Sequence, residues 1–138
     1  MTEGRALAPG SARGQVLVLD DPLSFWGGLD PATGRVIDAH HPQAGAILTD
    51  QVVVMPTGRG SSSSSYVLAE AIRVGTAPAA IILLETDPIL ALGAMVAEEL
   101  YGRAMPVVIA DGVTYGALTT GLELTVVAGE GAATIERT

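Results

Sequence analysis

The sequence predicts an α/β domain with parallel central strands, helical crossovers between them, and flanking β structure at both ends of the chain. Two observations carry this prediction. Residues 51–55, 79–84 and 106–110 form short apolar runs, as expected of strands that are covered on both faces. The stretches between these runs have helical periodicity, and strand–helix–strand crossovers of one hand make successive strands parallel.

Two helices are expected between the central strands. Apolar residues recur at helical spacing within residues 66–74, and Gly75 is a natural stop for that helix. The second helix is expected over residues 89–100. Asp87 is a candidate N-cap for it, and Pro88 suits the first helical position.

The flanking strands have weaker signals. Residues 15–19 and 35–39 are short β-like runs in the first third of the chain, and residues 122–128 and 133–135 are candidate late strands. Residues 1–13 are rich in Gly, Ala and Arg, and we expect them to be poorly ordered.

The composition limits the classes of function that are open to the chain. Its 138 residues suffice for one domain, which we expect to extend over residues 1–138. A net charge of -8, with Arg as the only basic residue type, argues against binding to nucleic acid or to anionic membranes. Charged residues make up only 16% of the chain. Either a large subunit interface or a compact core of small residues would explain that low value.

Cysteine usage and hydropathy add further limits. The chain has no cysteine, which excludes disulfides and iron–sulfur ligation by the chain itself. Residues 1–14 lack the apolar segment of a signal peptide, and the longest apolar run is far shorter than the roughly 20 residues of a membrane span. We therefore expect a cytoplasmic protein.

The loop at residues 56–65, Pro-Thr-Gly-Arg-Gly followed by five serines, is the most informative local feature. It lies between a predicted strand and a predicted helix, where free main-chain amides favour anions. Gly58 and Gly60 allow close approach of a ligand, the serines add hydroxyl donors, and the Arg59 guanidinium suits a carboxylate or phosphate. The pattern is neither a Walker A loop nor a dinucleotide-binding fingerprint. Anion binding is favoured, and a solvated, serine-rich helix entry is the alternative.

Other polar residues are better explained by turns. His40 and His41 are adjacent in an extended segment, so their side chains point apart, and two ligands are too few for zinc. A turn before Pro42 is the favoured interpretation. Asp30 and Pro31 are likewise typical of a turn.

Several blocks of the sequence together resemble one family. The combination of Ser-Phe-Trp-Gly-Gly-Leu-Asp-Pro with Gly-Arg-Gly-Ser is specific. The chain resembles the swivel domain of aconitase X from about residue 14 to about residue 111. The matching blocks are residues 23–38, 41–42, 58–65, 77–81, 87–93 and 106–108.

The resemblance implies a swivelling β/β/α domain of aconitase type. It further implies the small subunit of a hydro-lyase whose large subunit carries the iron–sulfur cluster, so that no cofactor is bound by this chain. Two substrates are implied, cis-3-hydroxy-L-proline and mevalonate 5-phosphate. The serine run and the segment at residues 92–102 favour the first, with Δ1-pyrroline-2-carboxylate as the product.

The resemblance also implies roles for individual residues. Ser61 would be the catalytic base. The substrate would be bound by residues of two segments. These are Gly58, Arg59, Gly60, Ser62 and Ser63 of the loop, and Phe25, Trp26, Gly27 and Gly28 of the Ser-Phe-Trp-Gly-Gly block. Two other functions stay open, a phosphoryl-carrier domain and a non-catalytic swivel module. The first needs a histidine near the helix start, and the serine run contains none.

Overall fold

A closed seven-stranded β-barrel forms the centre of the molecule. The computed structural model describes residues 2–138. The order of strands around the barrel is β1-β7-β6-β5-β2-β8-β9. The barrel strands are β1 (Thr2–Ala8), β2 (Gly10–Val18), β5 (Val52–Val54), β6 (Ala80–Leu83), β7 (Val107–Ile109), β8 (Glu123–Ala128) and β9 (Ala132–Arg137).

The predicted parallel centre is confirmed. Strands β2, β5, β6 and β7 are successive parallel neighbours. Antiparallel pairs close the rest of the barrel: β1 with β7 and β9, and β8 with β2 and β9. Because the carboxyl ends of β2, β5 and β6 share one edge, the loops after these strands meet there.

The side chains of the central strands point alternately to the two faces of the sheet, and this alternation divides the core into two parts. Val52 and Val54 belong to a cluster inside the barrel, whereas Val53 packs in the cluster that includes the helices. Ile81 and Ile82 divide in the same way. Since successive side chains of a strand point to opposite faces, both faces of the central strands are buried. This burial explains why their sequences are continuously apolar.

The two crossover helices pack together on the outside of the barrel. They are α2 (Ser64–Val74) and α3 (Pro88–Tyr101). Both end at a glycine in the left-handed conformation, Gly75 and Gly102. Gly93 of α3 lies so close to α2 that a Cβ there would be 2.7 Å from the Ser65 carbonyl oxygen.

Smaller elements complete the fold. The chain after β2 forms a single-turn segment, α1 (Phe25–Gly28), and then a two-stranded sheet of β3 (Leu29–Asp30) and β4 (Arg35–Val36). A short helix, α4 (Gly112–Ala117), follows β7. Its N-cap is Asp111, whose pKa is lowered by the hydrogen bond from the Thr114 main chain.

The prediction of a poorly ordered N-terminus over residues 1–13 was wrong for the residues that the structure describes. Met1 lies outside the described residues, but Thr2–Ala8 and Gly10–Val18 are barrel strands. Residues 2–13 lack large apolar side chains other than Leu7, so their sequence carries no strand signal. Their order comes from main-chain pairing with β7, β8 and β9. The strand expected at residues 35–39 is also shorter, and only Arg35–Val36 is extended.

Candidate active site

A cleft of about 220 Å³ lies at the carboxyl ends of β5 and β6. One wall comes from the β5–α2 loop, and the opposite wall comes from the start of α3. The loop side consists of Thr57, Gly58, Arg59, Gly60, Ser61 and Ser64. The α3 side consists of Thr86, Asp87, Pro88, Ile89 and Leu90. The loop that was predicted to bind an anion therefore faces this cleft, while anion binding itself stays a prediction.

Ser61 is half-buried in this cleft, just before α2 begins. Its Oγ accepts a hydrogen bond from the Ser63 main-chain N–H at 3.0 Å. Its carbonyl oxygen accepts another from the Ser64 N–H at 3.0 Å. These bonds fix the hydroxyl at the N-terminal end of the helix, where positive potential favours the charged form of an oxygen nucleophile or base.

Free donors surround this hydroxyl. Within residues 2–138, the main-chain amides of Gly60, Ser61 and Ser62 donate to no other group. The exposed Arg59 guanidinium likewise has no hydrogen bond or ion pair in the described part of the chain. Unpaired amides at a helix start and a guanidinium are the kinds of group that bind small anions in proteins.

Asp87 connects the two walls of the cleft. One of its carboxylate oxygens, Oδ1, accepts hydrogen bonds from the main-chain N–H groups of Ile89 and Leu90, at 3.0 and 3.1 Å. The other oxygen, Oδ2, accepts the Gly58 N–H at 2.9 Å. The same side chain thus caps α3 and holds the loop that carries Ser61.

The conformation of the loop requires glycine at two positions, because a side chain would not fit there. A Cβ at Gly58 would collide with the Asp87 carboxylate. Gly60 has a φ of +94°, in the left-handed region, and a Cβ there would lie 2.9 Å from the Ser24 Oγ. Any larger residue at either position would move the loop away from the geometry that places Ser61 in the cleft.

The segment Phe25–Gly28, which was predicted to bind the substrate, lies outside the lining of this cleft, and its role in binding stays a prediction. Phe25 is fully buried in the core and Gly28 is buried, and neither of them lines the cleft. The apolar Phe25 side chain packs inward because burial in the core stabilises it. Trp26 is 55% exposed, and Gly27 faces open space. The main chain of Trp26 does approach the site, since its N–H donates to the Ser64 Oγ at 3.0 Å.

The remaining serines of the run divide into different environments. Ser62 is exposed and Ser63 is half-buried, and neither lines the cleft in this chain. Ser63 acts through its main-chain N–H on the Ser61 hydroxyl. Their roles in binding a substrate stay predictions.

Three further residues of the site carried too little signal to be found from the sequence. Ser64 is buried and lines the cleft, yet it is one of five identical neighbours in the sequence. Arg5 lies in β1, and its guanidinium donates to the Thr86 Oγ1 at the rim of the cleft. Asp87 was identified only as a helix cap, because the contact with Gly58 depends on the tertiary structure.

The two histidines lie in a turn, and no group of three or more potential metal ligands occurs among residues 2–138. His41 is buried in a turn. Its Nδ1 accepts the Gln43 main-chain N–H at 3.0 Å, so its Nε2 donates to the Asp21 carbonyl oxygen at 2.8 Å. His40 is exposed. The interpretation as turn residues is confirmed.

Chemically, the cleft combines an anion-binding end with a hydroxyl that is held in place. No helix among the described residues is both apolar enough and long enough to cross a bilayer. The arrangement suits a small, negatively charged molecule whose reacting carbon lies beside the Ser61 Oγ. The cleft is partly open to solvent.

Comparison with known proteins gives consistent matches. The chain is 54% identical over 103 residues to a cis-3-hydroxy-L-proline dehydratase of Pseudomonas aeruginosa, covering 75% of this chain but only 18% of that protein. It is 50% identical over 93 residues to the phosphomevalonate dehydratase small subunit of Methanothermobacter thermautotrophicus, covering 67% of this chain and 71% of that subunit. The chain therefore spans less than a fifth of the first relative and most of the second.

A solved structure matches the whole fold. The crystal structure of Thermococcus kodakaraensis aconitase X in its holo-form has a chain that superimposes with a TM-score of 0.83 at 37% identity. The match covers 99% of this chain and 100% of that one. The family model for the aconitase X swivel domain matches residues 1–135. Since both its sequence and its fold match the same family, this chain belongs to the aconitase X swivel domain family.

Proposed function

We propose that this chain is the small-subunit component of an aconitase X-type hydro-lyase, and that a larger partner completes its active site. We further propose that the substrate is cis-3-hydroxy-L-proline. The observation that carries the proposal is the Ser61 hydroxyl, which lies in the cleft beside unpaired main-chain amides and the Arg59 guanidinium. That combination suits removal of a proton next to a carboxylate.

The substrate carboxylate would be bound by the amides of Gly60, Ser61 and Ser62 and by Arg59. Removal of the α-proton transfers electron density onto this carboxylate. Donors that already point at the oxygens stabilise the transition state more than the ground state, because their dipoles need no reorganisation. The loop would therefore both bind the substrate and make its α-proton more acidic.

Ser61 would act as the base. A serine hydroxyl is a weak base at its ordinary pKa, so its alkoxide must be stabilised. The hydrogen bond from the Ser63 N–H to the Ser61 Oγ supplies part of that stabilisation, and the start of α2 adds positive potential. The proton moves from C2 to the Ser61 alkoxide, and a C2–C3 double bond forms as the C3–O bond breaks. The departing hydroxide then takes that proton from Ser61 and leaves as water, which regenerates the alkoxide. The enamine then tautomerises to Δ1-pyrroline-2-carboxylate.

Departure of the hydroxyl needs a Lewis acid, which an iron–sulfur cluster would supply. The 138 residues contain no cysteine, so thiolate ligands for such a cluster would come from the partner. This chain would contribute the base and the anion site. The partner would contribute the cluster and the wall that closes the cleft.

Mevalonate 5-phosphate is the second candidate substrate. The 50% identity to a phosphomevalonate dehydratase small subunit supports it, whereas the 54% identity to a cis-3-hydroxy-L-proline dehydratase supports the first. The serine run and the end of α3 favour the hydroxyproline substrate. A phosphoryl-carrier function lacks support, since the loop offers no histidine.

The decisive experiment is co-expression with the cysteine-bearing large partner, followed by assays on both substrates. We expect turnover of cis-3-hydroxy-L-proline and none of mevalonate 5-phosphate. In Ser61→Ala, we expect kcat to fall by about 10²–10⁴-fold, the usual contribution of a general base, while the complex still assembles.

Ser65→Ala is the matched control. The Ser65 hydroxyl belongs to the same run but donates to the Ser62 carbonyl oxygen and does not line the cleft. Its loss should leave kcat within about twofold, as for a surface substitution. An assembled Ser61→Ala complex that turns over at the wild-type rate would rule out Ser61 as the base.

A further inference from the structure

The Asp87 carboxylate makes more hydrogen bonds than capping a helix requires. Oδ1 alone accepts the two free N–H groups at the start of α3, from Ile89 and Leu90. This bifurcated contact already satisfies the cap. Oδ2 reaches in the other direction, to the Gly58 N–H in the loop after β5, which is 29 residues away along the chain.

A second N-cap in the same molecule shows the contrast. Asp111 caps α4 through a single hydrogen bond, from the Thr114 N–H at 2.7 Å, and it is exposed. Asp87 is only 8% exposed and lies in the wall of the cleft. Two helices of the same chain thus begin with the same residue type, but only at Asp87 does the second oxygen hold another loop.

The contact with Gly58 limits where the loop can lie. The start of the loop is held at Pro56, whose carbonyl oxygen accepts the Leu84 and Glu85 N–H groups at 3.0 Å. Further along, two N–H groups of the loop donate to the rest of the chain, Gly58 to Asp87 at 2.9 Å and Arg59 to the Leu23 carbonyl oxygen at 3.3 Å. The first is shorter and has a charged acceptor, so it is the stronger. Because a Cβ at Gly58 would overlap the carboxylate, the two groups are in direct contact.

The same side chain also determines where an anion can bind. Both the α2 and the α3 starts face the cleft. The Asp87 carboxylate accepts hydrogen bonds from the free main-chain N–H groups at the start of α3 and places a negative charge beside them. The unpaired amides of Gly60 and Ser61, which line the cleft, are left as the end that attracts an anion, and this is the end that holds the Ser61 hydroxyl.

We propose that Asp87 is a positioning residue for Ser61: its carboxylate fixes the loop after β5 against α3, so that the Ser61 hydroxyl and the free amides beside it face one substrate. The assignment of a reaction to Ser61 rests on the proposed function. The fixing of the loop by Asp87 stands apart from it and can be measured in the chain alone.

Two substitutions separate the fixing of the loop from the capping of α3. Asn and Ser are both good N-caps. In Asp87→Asn, one oxygen can still cap α3, but the amide group would face the Gly58 N–H, donor against donor. In Asp87→Ser, the shorter side chain can cap the helix but cannot reach Gly58. Asp111→Asn is the matched control, because it alters an N-cap that holds no loop.

The first readout is amide hydrogen exchange, measured by NMR on the full chain. In both Asp87 variants we expect exchange at the Gly58 and Ser63 amides to rise by about tenfold or more, since a bond to a charged acceptor is lost. Amides in the middle of α3 should be unchanged. Asp111→Asn should leave the Gly58 and Ser63 amides unaffected. Unchanged exchange at Gly58 in both Asp87 variants would overturn the proposal.

The second readout is steady-state kinetics of the assembled complex. A misplaced base lowers the rate of the chemical step, and a displacement of about 1 Å can cost roughly 100-fold. We expect kcat to fall by about that factor in both Asp87 variants, with a smaller change in KM. A variant with a loosened loop and wild-type kcat would refute the positioning role. If the wild-type complex turned over neither substrate, the proposed function would be wrong. The hydrogen-exchange result would still test the contact between Asp87 and the loop, because it is measured on the chain alone.

Discussion

At the level of single residues, the site depends on hydroxyls that look identical in the sequence and differ in the structure. Ser61 lies in the cleft, Ser62 is exposed, and Ser64 is buried and accepts the Trp26 N–H. The loop, its arginine and Ser61 could be predicted because a Gly-rich turn between a strand and a helix has a local signature. The inward position of Phe25 could not, since it depends on how a distant segment packs.

Ser64→Ala is expected to destabilise the chain. The substitution leaves the Trp26 N–H without its acceptor at a part-buried position. An unsatisfied donor of this kind costs about 1–3 kcal/mol. Urea unfolding followed by circular dichroism measures the free energy of unfolding. Ser65→Ala is the control, with an expected loss of about 0.5 kcal/mol or less, because Ser65 is only half-buried and water can replace its exposed hydrogen bond to the Ser62 carbonyl oxygen. Equal stabilities of the two variants would contradict the role assigned to Ser64.

At the level of elements, the helices and central strands could be predicted nearly to the residue, and α4 could not. Asp87, Pro88 and Gly102 mark the two ends of α3 with the residue types that such ends require. The six residues of α4, Gly-Val-Thr-Tyr-Gly-Ala, include two glycines and show no apolar period. The crossing of α2 and α3 is also absent from the sequence, because Gly93 acts there through its missing side chain.

Gly93→Ala and Gly116→Ala are expected to change stability in opposite directions. An alanine Cβ at Gly93 would lie 2.7 Å from the Ser65 carbonyl oxygen, so the helices must move apart. Overpacking of this kind costs about 1–3 kcal/mol. Gly116 lies in α4 with no atom within 4 Å of an added Cβ, and alanine should gain about 0.5–1 kcal/mol of helix propensity there. Thermal unfolding of both variants tests the pair. A stabilised Gly93→Ala would show that the crossing tolerates a methyl group.

At the level of the whole molecule, closure of the barrel is the feature that the sequence left hidden. A local pattern predicts strands but not their neighbours, and the strand β1 has almost no apolar pattern at all. Yet β1 pairs with both β7 and β9 and so joins the first residues of the chain to the parallel centre and to the last strand. It also brings Arg5 to the Thr86 side of the cleft.

Deletion of residues 1–8 is expected to abolish cooperative folding of the monomer. Without β1, the unpaired sides of β7 and β9 would be left open, and open strands invite pairing with other chains. Size-exclusion chromatography should show self-association, and calorimetry should show loss of the single unfolding transition. A monomeric deletion variant with wild-type Tm would show that β1 is dispensable.

The position of Trp26 has a practical consequence. It is the only tryptophan of the chain, its side chain is 55% exposed, and its main chain is one hydrogen bond from a residue that lines the cleft. Indole emission shifts to shorter wavelength when water is removed from around the ring. The molecule therefore carries an intrinsic optical probe close to the cleft, and this probe needs no label.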